Sequence, residues 1–371
     1  MIKKFKVVFG GLGHFQSAFL LTKEALRHES FIEVVQCTSN SINQAIIDAD
    51  VVVPFMEKIT AQTLHLAPKL KMIMQFGVGL EGVDIDEASR KGVWVCNISS
   101  GDCCNDKSSA EHAIYLALAV CRDQKAMHES LMTYKLGCPT GRSLFGAKAL
   151  IYGFGGIGRQ LAKRLSAFDM QVAAVTRTMP SPSDALQFQE TLTELCDTAG
   201  FPRLAASADI VFICCSQNQS NIGLVDKVFL DHLKDSAIIV NVARVRVTYF
   251  SRAEILLLCS SCHQIACLHV RKLLARTVQC QGGLINYPDV LEALGTGKLF
   301  GVGIDVYHTE PFPSPDGDPF LSHPRVVATP HVAGVTHISY QNMADIVAAE
   351  IKRIIANQDP LRAVNIVEGT T

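Results

Sequence analysis

The 371-residue sequence contains no uninterrupted apolar run approaching the roughly 18 residues of a membrane-spanning helix, so no membrane span is expected. It also lacks a charge of one sign. Lys and Arg number 34 against 35 Asp and Glu, a formal net charge of −1. A chain that works on nucleic acid or anionic lipid normally carries a basic excess, and neither partner is expected. Met1–Gly11 has lysines but no long apolar stretch ending in small residues, so no secretory signal is expected there. The 13 cysteines are odd in number, and the adjacent pairs Cys103-Cys104 and Cys214-Cys215 do not form a disulfide framework. Reduced thiols and a cytoplasmic location are the expectation. No G-x-S-x-G segment occurs, and no cysteine stands in a nucleophile context.

What is present is globular: 48% hydrophobic residues, 19% charged, 26 Gly and 14 Pro. At about 150 residues per domain the length suggests two domains, with a cleft between them. The first hundred residues alternate β-branched runs (5–9, 51–53, 72–76) with a helical stretch at 16–27, the pattern of βα units on a parallel sheet. After an irregular segment at 99–107, apolar residues at helical spacing predict one long helix over 108–126 that links two lobes. A second series then begins. Strands are predicted at 149–152, 171–175, 209–215, 237–242, 300–306 and 326–329, with helices at 157–168, 288–294 and 339–355. This describes an α/β chain whose second domain is a doubly wound Rossmann sheet.

Gly153, Gly155 and Gly158 have the G-x-G-x-x-G spacing, and Gly156 and Ile157 lie inside it. The glycines serve a tight turn, close approach of backbone to a pyrophosphate, and close packing of helix on strand. The helix that follows offers N–H groups and its dipole to phosphates. The pattern sits after a predicted strand and before a predicted helix, so a dinucleotide site is expected here. Gly10-Gly11-Leu12-Gly13 lacks the third glycine and reads as an ordinary βα turn. A site for NAD usually has Asp or Glu about 20 residues further on to bind the ribose hydroxyls. This chain has Thr176-Arg177-Thr178 there. With no carboxylate to repel a 2′-phosphate and a guanidinium to match one, NADP is favoured over NAD.

Three downstream segments lie at predicted strand ends, where open α/β sheets bind ligands: Val240–Arg244, Gly303–Pro311 and Thr329–Gly334. With Gly77–Asp84 and Ala110-Glu111-His112, they resemble the signature segments of the D-isomer-specific 2-hydroxyacid dehydrogenases, the family of D-3-phosphoglycerate dehydrogenase and of glyoxylate and hydroxypyruvate reductases. The resemblance implies hydride transfer between NAD(P)H and a small 2-keto acid, giving the D-2-hydroxy acid. It further implies a flavodoxin-like substrate (lid) domain from 1–107 and 338–371, an NAD(P)-binding domain from 108–337, and a homodimer. Carried over by position, Arg244 binds the substrate carboxylate and polarises its carbonyl. His331 is the general acid and base, and Glu310 holds the imidazole and favours its charged form. Asp305 meets the nicotinamide carboxamide, Ala243 lies beside the cofactor, and backbone N–H groups at Val78 and Gly79 hold the substrate carboxylate. His112, His308, His323 and His337 match none of these roles and read as structural. The alternative is a weak or inactive NAD(P)-binding sensor or scaffold, like relatives that act as corepressors.

Two departures from the family pattern stand out. The 99–107 link differs from the family's shorter Pro-Gly-bearing one, which leaves the substrate unspecified. The other is an atypical insert at 245–281, between Arg244 and the Gly282-Gly283-Leu284 that would otherwise follow it. Its first Val codon begins with GT and its last Gln codon can be CAG, as at intron boundaries, so a translated intron is one reading. Its Cys259-x-x-Cys262 and Cys267-x-His269 match no closed zinc pattern, and no metal is expected. A chain without 245–281 is expected to be the more stable and active form; equal turnover by both purified forms overturns this.

Overall fold

Short runs of Val, Ile, Met and Phe form two parallel sheets in the structure, a computed structural model that describes residues 4–11, 15–80, 82–243, 283–307, 310 and 317–367. The 245–281 insert, Arg244 and His308 lie outside the described residues. Chain contacts separate two units, Met1–Asp106 with Val335–Thr371, and Lys107–Gly334.

In the first unit, β1 (Phe5–Phe9), β2 (Ile32–Gln36), β3 (Val51–Val53), β4 (Met72–Met74) and β5 (Trp94–Cys96) pair in the order β2-β1-β3-β4-β5, all parallel. This is the flavodoxin-like order. Alternate side chains point to opposite faces, and the core divides accordingly. Val7, Phe9 and Met72 belong to one cluster, Val8, Val52 and Ile73 to another. The first cluster includes Ala18 of the Gln16–Ala25 helix and Met343, Val347 and Ile351 of the His337–Ile355 helix. One unit is therefore built from both chain ends.

In the second unit, β6 (Lys148–Tyr152), β7 (Gln171–Val175), β8 (Glu194–Cys196), β9 (Ile210–Ile213), β10 (Ala237–Asn241), β11 (Leu299–Ile304) and β12 (Val326–Ala328) pair in the order β12-β11-β10-β9-β6-β7-β8, again parallel. Counted from β6, this is the 3-2-1-4-5-6 order of dinucleotide-binding sheets with one further strand. The order reverses between β6 and β9, and ligands bind outside the carboxyl ends of the strands at such a switch point. Strands β9 and β10 are buried along their whole length, as expected of a sheet covered on both faces.

The expected single helix over 108–126 is two. One runs Asn105–Cys121, so it begins inside the segment read as irregular, and the next runs Gln124–Met132. Asp123 breaks them by adopting a left-handed backbone (φ 55°), and its carboxylate accepts the Ala126 N–H at 3.5 Å. An Asp accepts this conformation and caps the new helix at once. Strands β2, β5 and β8, not anticipated, lie toward the sheet edges. Among the described residues no helix is long and apolar enough to cross a membrane, and no group of three or more His, Cys, Asp or Glu side chains could hold a metal ion.

Candidate active site

The glycine turn sits at the carboxyl end of β6. Gly153 adopts φ 106°, and a Cβ there would lie 2.4 Å from the Cys215 nitrogen. A Cβ on Gly158 would lie 2.4 Å from the Gly153 carbonyl oxygen. These two glycines let the Gly156–Ser166 helix start directly against its strand. Gly155 differs, since a Cβ there would meet nothing within 4 Å. The space above it is open to a bulky anion. Gly155 is also the helix N-cap and provides no side chain to occupy the first turn, which leaves that turn to a ligand. Gly156 is exposed and Ile157 half-buried. These features fit a dinucleotide pyrophosphate.

Thr176 and Arg177 follow β7, as the sequence places them. The Thr176 hydroxyl donates to the Thr178 carbonyl at 3.1 Å. Arg177 is exposed and pairs with no carboxylate among the described residues. Ala243, two residues past β10, is buried, and its N–H donates to the Asn241 side-chain oxygen at 3.2 Å.

Glu310 and His331 come together. His331 Nδ1 and Glu310 Oε2 are 2.7 Å apart, with Glu310 buried and the imidazole 30% exposed. The other carboxylate oxygen of Glu310 accepts the Tyr307 N–H at 3.1 Å. The donor to that oxygen comes from the chain just past β11, and His331 comes from just past β12. His331 has φ 56°, a left-handed backbone that costs a non-glycine residue about 1–2 kcal/mol. Its surroundings must over-determine it.

They do so through Asp305. This side chain is fully buried at 0% exposure, one residue past β11. Its Oδ1 accepts from the Thr329 hydroxyl at 2.6 Å and from the Val332 N–H at 2.9 Å, and its Oδ2 accepts from the Ala333 N–H at 2.9 Å. The carboxylate thus holds both sides of His331. Three donors occupy this carboxylate, two on Oδ1 and one on Oδ2, so its contact with a nicotinamide carboxamide stays an expectation of the sequence. Thr329 is the other anchor, its carbonyl accepting from the Tyr307 hydroxyl at 2.8 Å and from the His331 N–H at 3.0 Å.

His112, which the sequence reads as structural, lies beside this network. Its Nε2 lies 2.8 Å from the Thr329 hydroxyl and 3.5 Å from Asp305 Oδ1. Burial lowers its pKa below the ordinary histidine value, and Asp305 opposes that shift in part. A signal was available. Residues 112, 116 and 120 share one helix face, and residues 301, 303 and 305 share one side of an extended chain. A Cβ on Gly303 would come 2.9 Å from the Leu116 Cβ, and one on Gly301 would come 2.6 Å from Val120. Extending that register one step sets His112 against Asp305.

The described part of the other expected loop belongs to the first unit. Val78 and Gly79 follow β4, Val78 is exposed, and the Val78 carbonyl accepts from the Asn97 amide at 2.8 Å. The N–H groups of Val78 and Gly79 have no acceptor among the described residues.

Comparison with known proteins identifies the family. A family model described as D-isomer specific 2-hydroxyacid dehydrogenase, NAD binding domain, matches residues 114–249 and 279–333, breaking off within the 245–281 insert. A D-3-phosphoglycerate dehydrogenase of Archaeoglobus fulgidus is 30% identical over 318 residues, 85% of this chain and 51% of its own length. The human glyoxylate reductase/hydroxypyruvate reductase is 28% identical over 283 residues, 74% of this chain and 71% of that protein. The chain spans about half the length of the D-3-phosphoglycerate dehydrogenases it matches. A solved structure of a D-isomer specific 2-hydroxyacid dehydrogenase from a Polaromonas species superposes with a TM-score of 0.75 at 21% identity, covering 98% of this chain and 100% of the other, a likeness of fold. Because the family model takes in just over half of the sequence, the chain belongs to the D-isomer specific 2-hydroxyacid dehydrogenases.

Proposed function

We propose that this chain is a nicotinamide-dependent oxidoreductase that interconverts a small 2-keto acid and the D-2-hydroxy acid. The observation that carries this reading is the 2.7 Å pairing of His331 with buried Glu310 at the strand ends of a sheet whose first turn accommodates a pyrophosphate. A bound nicotinamide dinucleotide supplies the hydride to the carbonyl carbon, or accepts it in reverse. Glu310 takes Nδ1 of the imidazole, so proton exchange with the substrate oxygen falls to Nε2. In reduction, Nε2 gives its proton to the carbonyl oxygen as the carbon gains hydride, and the neighbouring carboxylate orients the ring through Nδ1. Arg244, outside the described residues, is assigned the substrate carboxylate from its place in the sequence. The N–H groups of Val78 and Gly79 are assigned the same anion. An ordered acid–base pair favours chemistry over a sensor role.

Arg177, exposed and without a carboxylate partner among the described residues at the end of β7, supports NADP over NAD. Exposed Leu131, Met132, Tyr134 and Leu136, close together in the chain, support a homodimer through the second unit, since neighbouring surface apolar side chains favour association. Oxidation of NADPH and NADH across a panel of small 2-keto acids tests the reading. Stereospecific formation of a D-2-hydroxy acid is expected, faster with NADPH. No turnover with any acid and either cofactor would sink it.

A further inference from the structure

We propose that His112 is a positioning residue for the reaction: it acts through Thr329 and Asp305 to fix the backbone that carries His331. The proposal rests on the functional reading above for its kinetic consequence, but not for its geometry.

The argument begins with the spacing of helix and strand. Four residues of helix rise about 6 Å, and two residues of strand about 6.6 Å. A stripe at 112, 116 and 120 therefore stays in step with 301, 303 and 305. Two of these steps are filled by close approach, Val120 over Gly301 and Leu116 over Gly303. A side chain on Gly303 would press on the Leu116 Cβ, and one on Gly301 on the Val120 side chain and the Arg325 carbonyl. The third step replaces apolar contact with a polar one, His112 against the Thr329 hydroxyl and the Asp305 carboxylate. A register fixed by close packing at two steps leaves the imidazole little freedom at the third.

The direction of the hydrogen bonds follows from the acceptors. Asp305 accepts from Thr329, Val332 and Ala333, so the Thr329 hydroxyl proton points to the carboxylate. Thr329 Oγ1 then accepts from His112 Nε2–H at 2.8 Å. This requires His112 to carry its proton on Nε2. The chain His112 to Thr329 to Asp305 polarises each bond toward the buried carboxylate. The same carboxylate fixes the two amides beyond His331, while the Thr329 carbonyl fixes the amide of His331 itself. Without the His112 donor, the Thr329 hydroxyl loses its rotational constraint and Asp305 loses the positive end of a ring dipole beside it. The strained φ of His331 then has fewer contacts to hold it. Reactive groups misplaced by about 1 Å lose up to about 100-fold in rate, which sets the scale of the effect.

The test uses the full chain and four variants: His112→Leu, His112→Gln, Thr329→Val and the double variant that combines His112→Leu with Thr329→Val. The His112→Leu and Thr329→Val substitutions each lower kcat about tenfold, with KM for the keto acid changed less than about twofold. The double variant is no worse than the poorer single, because both break one link. His112→Gln, which keeps a donor at the same reach, stays within about threefold of the parent. Multiplying effects in the double variant, or a His112→Gln variant as slow as His112→Leu, overturns the proposal. Amide hydrogen exchange of peptides covering residues 329–334 is measured alongside, in the absence of substrate. Exchange at Val332 and Ala333 quickens about tenfold in His112→Leu and Thr329→Val. Unchanged exchange overturns the proposal whatever the turnover. A parent protein without turnover defeats the functional reading alone, and the exchange result then decides the link.

Discussion

Each of the two sheets opens with a glycine-bearing turn after its first strand, and the two turns are built for different ends. After β1, a Cβ on Gly10 would meet the Glu57 side chain at 2.7 Å and the Pro54 carbonyl at 2.8 Å, while Gly11 has φ 66° with nothing near it. The helix begins only at Gln16, behind Phe15 in a left-handed conformation. After β6 the helix begins at Gly156 itself, because Gly158 permits it to rest on the Gly153 carbonyl. Glycine content is similar in both. What distinguishes them is whether the helix terminus, with its unpaired N–H groups, is delivered to the strand end. A phosphate site is thus a property of the third glycine's contact.

The comparison is sharpened first by separating chemistry from binding in the second unit. His331→Asn should lower kcat by about 100- to 10,000-fold, the usual contribution of a general acid–base group, while NADPH affinity measured by fluorescence titration stays within about threefold. A matching loss of affinity would break the assignment of binding to the β6 turn. Gly153→Val should weaken NADPH binding by about 100-fold or more, since a side chain meets backbone at 2.4 Å; calorimetry showing parent affinity would refute the close-packing account. Arg177→Asp should shift the NADPH to NADH preference about tenfold or more toward NADH, read as a ratio of kcat/KM. Smallest is Gly11→Ala in the other turn. It should cost about 1 kcal/mol in chemical denaturation for its φ alone and leave cofactor affinity unchanged. A cofactor effect there would erase the distinction.

Much of the second sheet was legible because its strands are short β-branched or apolar runs between turn residues. Gln171–Val175 was read with its observed bounds, as were Phe5–Phe9 and Val51–Val53 in the first sheet. Ile32–Gln36 and Glu194–Cys196 escaped notice, being only partly buried and so weakly patterned, and Trp94–Cys96 is a strand of three residues, too short to show a period. The break at Asp123 was hidden by apolar spacing that continues across it. The site divides similarly. Glu310 and His331 were found as local motifs, and the structure joins them. The place of His112 could not be read locally, since what defines it is a helix stripe meeting a strand far along the chain. Arg244 lies outside the described residues and keeps its proposed role from sequence alone.

Gly301 and Gly303 leave one face of β11 without side chains at its centre, while Leu299, Val302 and Ile304 are buried in the core. On that bare face the strand is packed by Leu116 and Val120. Helix and strand should therefore order and melt together as one cooperative piece. Any condition that frays the Asn105–Cys121 helix would be felt at β11 before the rest of its sheet loosens.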